Sequence, residues 1–261
     1  MNFPWPPWIS LFTWPVLLVS LTGWGLMVKT SFRHLGLRWF AYDSPAEKGA
    51  AGLFTSFGLG CGSVPLLVLL AGALHLLYAV VLWLLVAGGL LFFWRHRKEL
   101  KARDAWAELK PKNLVDRIIL VILLLVFIYQ ALGCLLPATG QDELTYHLTY
   151  PRQFLIANKI HCTPNIFHVN SPLNAHMLYL LSLSMGTEIL CKLLQLSQWV
   201  FIVMIIIAWT RSILPSAGYF AALLYLTPVA SVYMRAPNEA GSDIPVAFWF
   251  ALGFFFASKI N

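Results

Sequence analysis

Long apolar runs broken by short polar segments set the pattern of this chain. A helix needs about 20 apolar residues to cross a hydrocarbon core. Runs of that kind fall near 9–28, 50–72, 73–94, 114–136, 189–210, 216–234 and 243–258. From Gly49 to Trp94 there is no Lys, Arg, Asp or Glu, so two helices joined by a tight turn around Gly72 to His75 are expected there. Gly52, Gly58, Gly60 and Gly62 are small residues of the kind that let membrane helices approach closely. The stretch Pro172 to Met185 opens with Asn174 and His176 and is short for a span, so it reads as a helix lying at the interface. The predicted fold is all-α: a polytopic transmembrane helical bundle of about seven spans, with an outer-face loop carrying interfacial helices.

Composition agrees with the pattern. Hydrophobic residues make up 59% of the 261 and charged residues 11%, whereas a soluble domain carries about 25% charged. The net charge of +7 changes the picture only through its placement. Basic residues gather in two segments that flank apolar runs, Lys29 to Lys48 and Arg95 to Arg117, and the second holds eight Lys or Arg against four acids. That is the positive-inside pattern, and it excludes a nucleic-acid footprint. Both segments are expected on the cytoplasmic side, with the N-terminus and residues 137–188 outside, as in a bacterial inner membrane. The N-terminal MNFPWPPWISLF lacks a basic n-region and reads as an interfacial lead-in, not a cleaved signal peptide. Four cysteines stand without CxxC spacing, so no zinc knuckle is indicated.

The polar segment Pro137 to His176 is the exception in this chain. It carries Asp142, Glu143, Arg152 and four histidines: His147, His161, His168 and His176. Ionisable groups beside a bilayer are costly, so their clustering marks a place for chemistry or binding. On a helix beginning near Gln141, Asp142 and Tyr146 are one turn apart, as are Glu143 and His147. Either acid can serve as general base or metal ligand; acids are also favoured in a first helical turn by the helix dipole. The histidine spacings match no zinc motif. A carboxylate site for Mg2+ or Mn2+, with Asp142 and Asp243 as ligands, suits the residues better. With the interfacial stretch lying flat, helix parity returns Arg235 to Asp243 to the outer face of Asp142. That second cluster, RAPNEAGSD, reads either as a solvated turn with a helix-capping Asp or as the other half of a site. Arg152 and Arg235 are the outer-face cations best shaped to hold phosphate.

An acidic pair after the first span of a module, followed by aromatic and His positions, resembles the first outer loop of the GT-C membrane glycosyltransferases. The stretch PLNAHMLYLLSLSMG and the Arg-x(7)-Asp at the head of a helix are similar too. The nearest branch is the phospholipid-carrier-dependent group that includes the protein O-mannosyltransferases and the lipid A aminoarabinose transferases. The resemblance covers about residues 114 to 258, and it divides the chain into a three-span extension (1–94), a cytoplasmic basic linker (95–113) and a partial module (114–261) with its outer loop at 137–188. It implies transfer of a sugar from a polyprenyl-phosphate carrier to an outer-face acceptor. Asp142 would take the acceptor proton or orient the acceptor through a divalent cation, with Glu143 supporting it. Tyr146, His147, Arg152 and Arg235 would face substrate or phosphate, and Asp243 would hold metal or the leaving phosphate. The expected partners are membrane lipids, the polyprenyl-phosphate sugar and another membrane chain completing the bundle, but no nucleic acid. Only four spans of the module precede Asn261, fewer than the family uses. This leaves a second expectation: a shortened, non-catalytic GT-C-like subunit serving as a scaffold in a larger membrane complex.

Overall fold

A computed structural model describes residues 5–37, 49–161, 174–232 and 239–258. All regular structure among them is helical, in ten α-helices: α1 (Ile9–His34), α2 (Gly49–Ala73), α3 (Ala79–His96), α4 (Ala102–Leu109), α5 (Leu114–Cys134), α6 (Thr149–Ala157), α7 (Asn174–Met185), α8 (Glu188–Ile213), α9 (Gly218–Val232) and α10 (Asp243–Ala257). A short π-helix, Glu143–His147, precedes α6. Every apolar run read as a span is the body of one of these helices. Five of them, in α1, α2, α3, α5 and α8, are long and apolar enough to cross a membrane. The chain is thus an integral membrane protein with several membrane-grade helices. The helices α9 and α10 have 15 residues each. At 1.5 Å per residue each is about 22 Å long, short of the roughly 30 Å core.

The first three helices pack through glycine. A Cβ on Gly25 would sit 1.6 Å from the Ser56 carbonyl oxygen, one on Gly60 1.8 Å from that of Leu21, and one on Gly23 1.9 Å from that of Gly89. Only hydrogen fits at these crossings, and backbone meets backbone. Ser20 donates to the Val86 carbonyl at 3.0 Å and the Trp24 indole to that of Leu85 at 2.8 Å, and further along in the same direction Arg33 pairs with Glu99, so α1 and α3 run parallel; Gly25 beside Ser56 and Gly60 beside Leu21 make α2 antiparallel to α1. The turn predicted at Gly72 to His75 is where α2 ends, with His75 in the left-handed region at φ 61°.

The central helix is α8, buried along most of its length. It meets α1 through the Trp14 indole, which donates to Ser197 at 2.8 Å, and meets α2 and α10 in an aromatic cluster of Phe54, Phe57, Phe201, Phe248 and Phe255. At the end rich in Lys and Arg, Arg211 of α8 bonds Asp116 of α5 at 2.7 Å and the carbonyls of Glu108 and Lys110 at 2.7 and 2.9 Å. The basic linker is therefore not a loose tether. Its helix α4 buries Ala105 and Leu109 against the bundle, and the Glu108 carboxylate accepts from the Ala50 N–H at 3.1 Å.

One expectation about the opposite end is corrected. The helix α7 does not lie on the surface as an amphipathic strip, because every side chain from His176 to Met185 is buried. Its sequence is apolar all round, so it has no polar face to give to water. It inserts between α2, α6 and α8. Pro172 lies outside the described residues.

Candidate functional site

The 137–161 segment, α7 and the turn before α10 share one end of the bundle. Residues 158–160 dock on the α2–α3 turn, where Leu77 N–H donates to the Asn158 carbonyl and Ile160 N–H to that of Gly72, both at 3.2 Å. At Gln141 the chain begins a helical turn that widens into the π-helix, and such bulges re-aim side chains. The expected one-turn pairing is half kept. Asp142 is exposed and bonds the Tyr146 hydroxyl. Burial pushes the Tyr146 phenol above its ordinary value, and the bond to Asp142 and the charges of Asp142 and Asp243 push the same way. The second acid, Asp243, is exposed at the first position of α10. Two carboxylates 101 residues apart thus act on one tyrosine.

Glu143 takes a different place from the one read in the sequence. It is buried, and its two oxygens face backbone N–H groups: Ala240 at 3.0 Å and Gly140 at 3.4 Å. This makes it a clasp between the two acidic segments. His147, one π-turn on, is buried with Nδ1 2.9 Å from Nε2 of His176, and the Tyr146 ring lies tilted over it at 4.2 Å. Burial first, and the neighbouring His147 second, push the His176 imidazole down to about 4. One partner must donate and the other accept, so the accepting ring is neutral at the shared contact.

Arg152 is committed to an ion pair with Glu188 at 3.0 Å, about one third exposed, so its guanidinium is partly neutralised as a phosphate anchor. Arg235 and His168 lie outside the described residues, as does the RAPN start of the second cluster. Asp142 and Asp243 offer hard oxygen donors suited to Mg2+ or Mn2+, an ion that takes one or two carboxylates and completes its shell with water and phosphate. Among the described residues, no group of three or more His, Cys, Asp or Glu is arranged to hold a metal.

Three residues beneath this surface escaped the sequence reading. The single hydroxyl proton of Tyr179 in α7 is shared between the Gln195 oxygen of α8, 2.6 Å away, and the Gly241 carbonyl, while the Gly241 N–H donates to the same Gln195 oxygen at 2.8 Å. Lys192, almost fully buried, donates to the Leu136 carbonyl at the end of α5. The charges of Arg152, Glu188, Glu143 and Lys192 all bear on the side chain of Cys191, so these groups form one electrostatic neighbourhood. A signal for them was present: Glu188, Lys192, Gln195 and Gln198 recur every three or four residues, a polar stripe down one face of an otherwise apolar helix. Comparison with protein-family models, with curated proteins and with solved structures finds no match for this chain.

Proposed function

We propose that the chain is a membrane glycosyltransferase of the lipid-carrier type, or the part of one that carries the acceptor-activating acids. The observation that carries this reading is that Asp142 and Asp243 stand at one end of the bundle, opposite the basic segments, close enough that the charges of both act on Tyr146. In the proposed reaction the Asp142 carboxylate takes the proton of an acceptor hydroxyl. The acceptor oxygen then bonds to the anomeric carbon as that carbon's bond to the carrier phosphate breaks, and the phosphate leaves with the electron pair. The Tyr146 hydroxyl orients Asp142, and Glu143 holds the two acidic segments together.

The charge of the site shapes the rest of the proposal. With Asp142, Glu143 and Asp243 close by and Arg152 engaged with Glu188, acids outnumber free cations among the described residues of the site. A divalent cation on Asp142 and Asp243 would supply positive charge to an anionic leaving group.

The test uses the full chain in lipid nanodiscs, supplied with polyprenyl-phosphate-linked radiolabelled sugars, Mg2+ or Mn2+, and a membrane extract as acceptor. Wild type should transfer label, and Asp142→Asn should reduce transfer by about 100-fold or more, the range for loss of a general base. Transfer that Asp142→Asn leaves unchanged rules out its role as base; no transfer by wild type rules out catalysis by this chain alone.

A second reading, the non-catalytic scaffold subunit, is favoured by one observation. Val246, Trp249, Phe250, Gly253, Phe254 and Ala257 form a continuous apolar stripe on α10 around a shallow depression of about 450 Å³. Such a stripe suits packing against another membrane helix. Substituting Gly253→Trp would then break a larger complex while leaving this chain folded; a complex unchanged in size in native gels would remove that reading.

A further inference from the structure

We propose that Gln195 and Tyr179 are positioning residues for Asp243, setting where the second acid stands relative to Asp142. The inference rests on the glycosyltransferase reading for its catalytic consequence and on hydrogen-bond geometry for its structural one.

In the turn Glu239 to Ser242, Ala240 is buried in a small apolar cluster with Leu148, Tyr179, Leu183 and Cys191, whereas a Cβ at Gly241 would meet nothing within 4 Å. Besides that packing, the turn is tied by polar contacts to three buried side chains from three elements. Ala240 N–H donates to Glu143 at 3.0 Å, Gly241 N–H to Gln195 at 2.8 Å, and the Gly241 carbonyl accepts from Tyr179. Tyr179 and Gln195 are themselves joined at 2.6 Å, and both are about 1% exposed. Asp243 follows two residues later as the first residue of α10, so a shift of the turn moves the acid with it.

Burial is what gives the arrangement its force. A donor or acceptor left unpaired in an apolar surrounding costs about 1–3 kcal/mol, so each of these contacts resists displacement of the turn. The linked set also leaves little slack, because the single Tyr179 hydroxyl proton is shared between the Gln195 oxygen and the Gly241 carbonyl, and the same Gln195 oxygen accepts from the Gly241 N–H. None of the three side chains needs to touch substrate. Their effect on the reaction passes through the place of Asp243.

Two readouts test this on the full chain in nanodiscs, and they fail independently. Hydrogen exchange of the peptide spanning 239–243 reads the turn directly. Gln195→Leu should raise exchange at Ala240 and Gly241 by about tenfold or more, and Gln195→Glu, which keeps an acceptor at the same place, should restore protection. Unchanged exchange in Gln195→Leu and in Tyr179→Phe overturns the proposal, whatever the activity. Sugar transfer from the polyprenyl-phosphate donor reads the consequence. Gln195→Leu should lower kcat about tenfold with little change in KM for the donor, and should lower it no further in a chain already carrying Asp243→Asn. A loss in that background equal to the loss in wild type overturns the proposal, because Gln195 would then act by another route. If wild type transfers no sugar, the functional reading fails, and the exchange measurements alone decide the structural proposal.

Discussion

At the residue scale, His176 shows how one buried side chain couples the candidate site to pH. Its imidazole is held at about 4, against an ordinary 6.5, by burial and by His147. Between those values the unfolded chain binds a proton that the folded chain refuses. Stability should therefore be full above about pH 6.5, fall as pH drops through the window, and reach its lowest contribution below about pH 4. The shift corresponds to about 2–4 kcal/mol. Thermal unfolding in nanodiscs at pH 7.0, 5.5 and 4.5 should show a falling midpoint for wild type, and a flatter series for His176→Gln, which has no ring to protonate. Parallel series for the two proteins would remove His176 as the source. The sequence marked His176 as one of four histidines in the polar segment but could not reveal its partner. Its contact with His147 spans 29 residues and depends on α7 being inserted in the bundle, not laid on it.

At the element scale, the apolar runs foretold the helices because length and composition suffice for that. Their packing was legible at only some positions. The glycines named in the sequence lie on α2, and Gly60 does make a backbone contact, with Leu21; Gly23, Gly25 and Gly89, which stand at the crossings from α1 and α3, were not singled out. Small residues are common in membrane helices, so which of them stand at a crossing depends on a pairing the pattern does not specify. Gly25→Ala should lower stability by about 2–4 kcal/mol, since its methyl group would collide with backbone that cannot give way. Gly253→Ala on α10, where a Cβ meets nothing within 4 Å, should change stability by less than about 0.5 kcal/mol. Size-exclusion thermostability in detergent distinguishes the two, and equal midpoints would mean that α1 and α2 do not cross at Gly25. The π-helix at Glu143–His147 was equally hidden. A regular α-turn read from spacing joins Asp142 to Tyr146 and Glu143 to His147. In the widened turn Asp142 keeps its bond to Tyr146, and Glu143 accepts from the Ala240 N–H.

For the whole molecule, packing separates two ends, and loop charge is the only guide to which end faces the cytoplasm. The Lys- and Arg-rich segments were assigned to one side from loop charge alone. In the fold, α4, the Arg211–Asp116 pair and the start of α2 gather at one end, while Asp142, His147, Tyr179 and Asp243 gather at the other. The separation follows from helix direction: α1, α3 and α8 run one way, and α2 and α5 return. The expected outward and inward courses of α9 and α10 continue that alternation, and α10, at 15 residues, needs the bilayer to thin around it to cross. Single cysteines test the orientation in a chain with the native cysteines replaced by serine. A cysteine at the exposed Arg103 should react with a membrane-impermeant maleimide only after the cells are opened. One at the exposed Asp142 should react in intact spheroplasts. The reverse pattern would turn the molecule over and put the two acids in the cytoplasm, where an outer-face acceptor could not reach them.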